Sequence, residues 1–161
     1  MSQPVDTKDA VRQTITVPAT PDRAFRVFAE QFGLWWPREY SIGEAEMADF
    51  VIEPRVGGRW YEVGVDGAEC DTGRVTVYEP PDRLVLAWHL DGNWQFDPDP
   101  SHASEVEVRF ISDGEDETRV ELVHRHFERH GEGASAVRAA VESTGGWGHC
   151  ISAYLRCITS E

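Results

Sequence analysis

Glu62 and His124 are the two side chains whose type and setting could do chemistry. By strand alternation each falls on a row that is otherwise apolar, Glu62 beside Trp60 and His124 after Val120 and Leu122. A carboxylate drawn out of water has its pKa raised unless a cation or donors compensate, which is one way a general acid or base is made. The structural alternative is a carboxylate paired with an Arg at the rim of a cavity. An inward imidazole can orient a ligand, shuttle a proton or hydrogen-bond Glu62, and it can equally be a satisfied core histidine. His126 stands nearer the strand end and is expected to be partly solvated, while His89 should point opposite to Trp88. Glu62 and His124 acting together would suit a cyclase, a dehydratase or a hydrolase.

Other chemistries have less to stand on. No HxxxH or CxxC spacing would make three or four ligands converge on a metal, so no metal and no cofactor is expected. Cys150 and Cys157 are two helical turns apart, about 10 Å, too far for a disulfide. His149, adjacent to Cys150, faces elsewhere on a helix and cannot serve it as a base. Gly57 and Gly58 sit in a hairpin and open no helix, so they do not form a phosphate cradle.

The elements that must position these residues are legible. A first strand runs over residues 11–17. Thr20 caps a short helix with Pro21 at its first position, Ala24, Phe25, Phe28 and Phe32 form its buried face, and Gly33 is expected to end it. Leu34, Trp35, Trp36 and Pro37 form a bulky turn or second short helix. Six strands follow at about 47–54, 58–65, 69–79, 83–90, 104–112 and 117–127, separated by Gly57-Gly58, Asp66-Gly67, Pro80-Pro81-Asp82, a loop over residues 91–102, and Asp113-Gly114. Residues 134–159 carry Val137, Val141, Ile151, Leu155 and Ile158 on one helical stripe, and Gly145, Gly146 and Gly148 predict a kink or close approach in its middle.

Sorting strand faces gives an inner surface of Trp60, Glu62, Leu86, Trp88, Phe110, Leu122 and His124, with His126 at its end. Only the C-terminal helix is long enough to cover it, and it brings Trp147, Ile151 and Tyr154; Trp36, from the bulky turn, is counted with them. The expected fold is α+β: a curved antiparallel seven-stranded sheet wrapped around a long C-terminal helix, with two short helices after the first strand. A strongly curved sheet leaves a space that one helix cannot fill. A pocket lined by these twelve residues, mostly aromatic with few polar groups, has the usual makeup of a small-molecule site. The structural alternative is that the rings simply fill the core.

The order of elements resembles the helix-grip fold of the START/Bet v 1-like (SRPBCC) superfamily. The runs VIEPRVGGRWYE (51–62), GRVTVYEPPDRLVLAWHL (73–90), SEVEVRF (104–110) and VELVHRHFERHG (120–131), with Trp35-Trp36-Pro37 and Gly146-Trp147, are similar to the bacterial branch named for activators of heat-shock protein 90 ATPase. That resemblance spans about residues 11–155. It implies the fold directly, and function only loosely, because one fold hosts carriers, cyclases, hydrolases and chaperone regulators.

Composition narrows the partners. The chain has 161 residues, 40% of them hydrophobic and 11% aromatic, which fits one globular domain over residues 11–161 after a frayed leader at 1–10. A net charge of −14 would repel a phosphate backbone and an anionic membrane. Positive charge is carried almost wholly by Arg, as in high-GC bacterial genomes, with Lys8 the one lysine. Three cysteines and no apolar leader fit a reducing cytoplasm. The sequence therefore predicts a cytoplasmic carrier or sensor for a small hydrophobic or aromatic molecule rather than a catalyst. A cyclase-, dehydratase- or hydrolase-type enzyme is the alternative and a co-chaperone the third reading; a homodimer is the self-association left open.

Overall fold

A computed structural model describes residues 10–160. The leader assigned to residues 1–10 lies, apart from Ala10, outside the described residues. β1 (Val11–Val17) is followed by α1 (Pro21–Glu30), α2 (Phe32–Trp35) and a single 3-10 turn, Arg38–Tyr40. Then come β2 (Met47–Ile52), β3 (Arg59–Gly64), β4 (Glu69–Glu79), β5 (Arg83–Trp88), β6 (Ser104–Ser112) and β7 (Thr118–Arg125), and last α3 (Ala134–Glu142) and α4 (Trp147–Thr159). The strands form one antiparallel sheet in the order β1-β7-β6-β5-β4-β3-β2, curled into a half-barrel. The fold is the helix-grip α+β architecture. Among the described residues no helix is long and apolar enough to cross a membrane.

Local chemistry accounts for most boundaries. Thr20 caps α1 by accepting from the Arg23 amide, and Pro21 opens the helix. Gly57, Gly67 and Gly114 take the positive φ that their turns need. Register shifts interrupt the β2–β3, β3–β4 and β4–β5 ladders, and each such bulge bends its strand, which gives the sheet its curl.

Two expectations need correction. Gly33 does not end the first helix; α1 stops at Gln31, and Gly33 lies inside α2, where a Cβ would stand 2.2 Å from Asp49 Oδ1 and 2.6 Å from the Phe50 nitrogen. The requirement is close approach to β2. The C-terminal helical stretch is likewise two helices, because Ser143 and Gly146 leave helical geometry. A Cβ on Gly146 would meet the Val141 carbonyl oxygen at 2.0 Å, so the glycine allows the chain to fold back on α3 there.

The inner face is filled largely by aromatic rings from α1 and α2. Phe28 contacts Phe32, Trp35, Phe110 and Tyr154 at centroid distances of 5.0–6.1 Å, and Phe32 reaches Trp60 at 5.8 Å. The Tyr154 hydroxyl donates to the Ala24 carbonyl at 2.7 Å, fixing α4 to α1.

The outer face is polar and organised around Glu107. Its carboxylate receives Arg83, Arg109 and Arg125, which screen it down to 7% exposure. Burial alone would raise its pKa, but the hydrogen bonds and charges of Arg125 and Arg83 outweigh it and hold the carboxyl at about 2, against an ordinary 4.5. A carboxyl whose folded pKa is depressed contributes stability that is complete above its unfolded value and is lost as pH falls. We therefore expect the stability gap between the wild-type chain and Glu107→Gln, read from urea midpoints, to be constant above pH 4.5 and to close between pH 4.5 and about 2. A gap independent of pH over that window would show that the arginine cluster contributes packing only.

Candidate functional site

The space left by the helices lies at one end of the aromatic core rather than along its whole length. A pocket of about 690 Å³ opens between the 36–42 segment, the 90–95 loop and the α3–α4 turn. Trp36, Trp88 and Trp147 form its aromatic walls, Trp94 stands on its rim, and Ile42, Leu90, Ala140, Val141 and Cys150 add apolar lining. Tyr40, Ser41, Asn93, Gln95 and Ser143 supply polar groups. A second, more open groove of about 480 Å³ runs between α2 and α4, past Leu34, Pro37 and Arg156, with no comparable set of rings around it.

Of the side chains singled out in the sequence, Trp36, Trp88 and Trp147 line this pocket. Trp60, Leu86, Phe110, Leu122, Ile151 and Tyr154 do not; each is at most 4% exposed and belongs to the packed core, because α1 and α2 occupy the concavity that the C-terminal helices leave. His126 lies beyond the end of β7, in left-handed conformation (φ 68°), half-buried, with Nδ1 3.7 Å from Glu128.

Glu62 is 1% exposed, and its oxygens are fully engaged. They accept from the Ser41 hydroxyl, from the Ile42 amide at 3.0 Å and from the Gly43 amide at 3.1 Å. The carboxylate thus clamps the 41–43 segment, which is one wall of the pocket. Among the described residues no Arg pairs with it, contrary to the structural alternative drawn from sequence; backbone and hydroxyl donors do that work.

His124 is wholly buried and sits in a chain of four side chains. Trp147 Nε1 donates to His124 Nδ1 at 3.0 Å, His124 Nε2 lies 2.7 Å from Ser104 Oγ, and that oxygen lies 2.7 Å from His130 Nε2. An indole N–H can only donate, so Nδ1 of His124 must accept and Nε2 must carry the proton. His124 then donates to Ser104, whose oxygen also meets the His130 ring. Burial, together with the nearby His130, pushes the His124 pKa well below its ordinary value, and burial lowers that of His130. With Nδ1 accepting, the His124 ring is neutral in this arrangement. No hydrogen bond joins Glu62 to His124 among the described residues: one holds the 41–43 wall, the other holds Trp147.

Across the mouth, the Tyr40 hydroxyl donates to the Gly145 carbonyl and ties the 38–40 turn to the α3–α4 turn. Cys150 faces the pocket, but burial pushes its thiol up to about 12, so it is a packing group and not a nucleophile. His89 is buried on the other face of β5, with Nδ1 2.8 Å from the Asp97 carbonyl oxygen.

Sequence reasoning missed Tyr40, Ser41, Trp94, Ser104 and His130. Trp94 could have been flagged as a large aromatic in a polar loop. Ser104 could have been found from register, since it begins the strand that pairs with both Trp88 and the His124 strand.

Comparison with solved structures agrees with this architecture. An anthrahydroquino-γ-pyrone synthase, Txn09, is 38% identical with a TM-score of 0.66, the match covering 92% of this chain and 96% of that one. CalC from Micromonospora echinospora, described as a self-sacrificing resistance protein, is 34% identical with a TM-score of 0.69 over 94% of each chain. Protein NE0264 from Nitrosomonas europaea, 16% identical over 98% of this chain and 99% of its own, shares the fold at a TM-score of 0.66. No curated protein sequence matches significantly. Residues 18–156 match the family model described as activator of Hsp90 ATPase homolog 1-like protein. Together with the helix-grip sheet, this places the chain in that family, within the START/Bet v 1-like superfamily.

Proposed function

We propose that this chain binds a flat, aromatic, oxygen-bearing small molecule in the pocket between Trp36, Trp88 and Trp147. The observation that carries the proposal is a contrast among the tryptophans. Trp35 donates to the Phe28 carbonyl at 3.2 Å and Trp147 to His124, whereas the indole nitrogens of Trp36, Trp60 and Trp88 are buried with no partner among the described residues; of these three rings, Trp36 and Trp88 line the pocket and Trp60 packs in the core. A buried donor without a partner costs about 1–3 kcal/mol. Two such donors on rings that wall one pocket favour a ligand whose oxygens would take them up, after a small rotation of the rings. The likeness to a synthase of an anthrahydroquinone fused to a γ-pyrone supports the same ligand class.

Xanthone, a flat tricycle with a carbonyl and an ether oxygen, is a suitable probe, and xanthene, without the carbonyl, is its control. At a hundredfold excess over Kd a ligand adds about 2.7 kcal/mol, worth roughly 5–10 °C in Tm for a domain of this size. We expect xanthone and related aromatic ketones to give such shifts, xanthene to give smaller ones, and Trp88→Ala to abolish them. A broad set of planar aromatics that leaves Tm unchanged would refute the reading.

The second reading is a ring-closing enzyme, and the 38% identity to the synthase favours it. The acid-base pair of Glu62 and His124 expected from sequence would not serve it as arranged, since neither side chain lines the pocket and no hydrogen bond joins them among the described residues; turnover lost in Glu62→Gln with fold and affinity intact would support a part for Glu62 alone. A co-chaperone role, which the family description carries, would need this chain to change the rate of a purified chaperone ATPase. A cytoplasmic location, with neither nucleic acid nor membrane as partner, belongs to the same proposal.

A further inference from the structure

Trp94 occupies a backbone conformation that its side chain disfavours. Its φ is 60°, in the left-handed region that Gly or Asn enters readily and a bulky residue seldom does. The loop enforces this. The Asp91 carboxylate accepts from the Asn93 amide at 2.8 Å and the Gln95 amide at 3.0 Å, and the Asp91 carbonyl accepts from the Trp94 amide at 3.0 Å. The Gln95 carbonyl takes the Asp91 amide at 2.9 Å, and Leu90 pairs with Phe96, so the turn is closed at its base. Gly92 and Asn93 stand beside the strained position, yet neither occupies it.

The strain does not bring the side chain into the core. Trp94 is 43% exposed, one of the few large hydrophobic residues so open among the described residues. Among the described residues its one aromatic neighbour is Trp88, at a centroid distance of 6.3 Å and an interplanar angle of 69°. It stands on the rim of the pocket whose inner walls are Trp36, Trp88 and Trp147. Strained residues persist where the surrounding structure over-determines them, and they cluster at active sites, ligand clamps and switch regions.

We infer that Trp94 is a clamp: the strained turn holds its indole over the pocket mouth so that it covers the outer face of a bound planar aromatic and slows its escape. This rests on the proposed pocket and adds to it a specificity-determining residue and a reason for the strain. A ligand too thick to lie under the ring would lose this cover.

Three variants separate the ring from the strain. Trp94→Gly removes both, Trp94→Ala removes the ring but keeps a side chain in the left-handed region, and Trp94→Phe keeps an aromatic face. With xanthone as probe, Trp94→Gly should raise Tm by roughly 2–4 °C and weaken binding about tenfold, mostly through a faster dissociation rate in stopped-flow fluorescence. Trp94→Ala should weaken binding equally with Tm unchanged, and Trp94→Phe should bind within about threefold of the wild type. Wild-type binding of xanthone with undiminished affinity in Trp94→Gly would overturn the clamp and leave the pocket standing. Absence of binding to the wild-type chain would remove both.

Discussion

Alanine at position 73 should remove a large part of this protein's stability. Gly73 lies in β4 with Trp60 of β3 on one side and Trp88 of β5 on the other. Its missing side chain is what lets the two indoles meet over the strand, at a centroid distance of 5.8 Å. A Cβ there would stand 1.9 Å from the Ala87 carbonyl oxygen and 3.0 Å from Trp60 Cε3. The first of these is backbone in a paired central strand, so relief means parting β4 from β5. Overpacking a well-filled core usually costs about 1–3 kcal/mol, and a clash with fixed backbone belongs above that range. Against a typical total of about 5–15 kcal/mol, Gly73→Ala should show a urea midpoint far below wild type, or no cooperative transition at all. Gly148→Ala is the matching control of opposite sign. It sits in the first turn of α4 with nothing closer than the Gln13 amide at 3.6 Å, so alanine should stabilise by up to about 1 kcal/mol. A Gly73→Ala midpoint within error of wild type would contradict the packing described across β3, β4 and β5.

Glu62→Gln should lose stability and ligand affinity together. One carboxylate oxygen of Glu62 faces the Ile42 amide and the other faces the Gly43 amide and the Ser41 hydroxyl. An amide in the same place must point its NH2 at one of those two backbone N–H groups, whichever way it is turned. One donor is orphaned and a second is set against it, at a cost of about 1.5–3 kcal/mol for a charge-assisted bond in a buried site. Because Ser41 and Ile42 line the pocket, loosening them should also reduce xanthone affinity. Denaturant titration and binding measured on the same sample check this. A Glu62→Gln chain with full stability and full affinity but no turnover would instead make Glu62 a proton donor or acceptor in a reaction.

The parts of the molecule fixed by local rules were readable in advance. Strand alternation gave the buried rows of β3 and β7, with Trp60, Glu62, Val120, Leu122 and His124 all inward, and the ends of β1, β4 and β6 fall where the turn residues put them. What could not be read was how the elements share the concavity. The sequence pattern states that Phe25, Phe28 and Phe32 are buried, but not that they lie over the sheet beside Tyr154 and fill the space in front of Phe110 and Leu122. The partners of the two polar candidates were hidden for a related reason. Glu62 is satisfied by backbone amides of a loop, and backbone amides carry no sequence signature. Ser104 and His130 meet His124 only once strand register and the turn after β7 are set.

The position of β1 bears on how the chain reaches this state. Among the described strands it pairs only with β7, Val11 opposite His124 and Val17 opposite Thr118, roughly a hundred residues downstream. During synthesis β1 emerges well before β7, the strand it pairs with in the sheet. Such long loop closures are slow, and a waiting apolar strand is open to the wrong partner in the meantime. The alternation of Val11, Ile15 and Val17 with Arg12, Thr14 and Thr16 gives that strand one polar side to keep it in water through the delay.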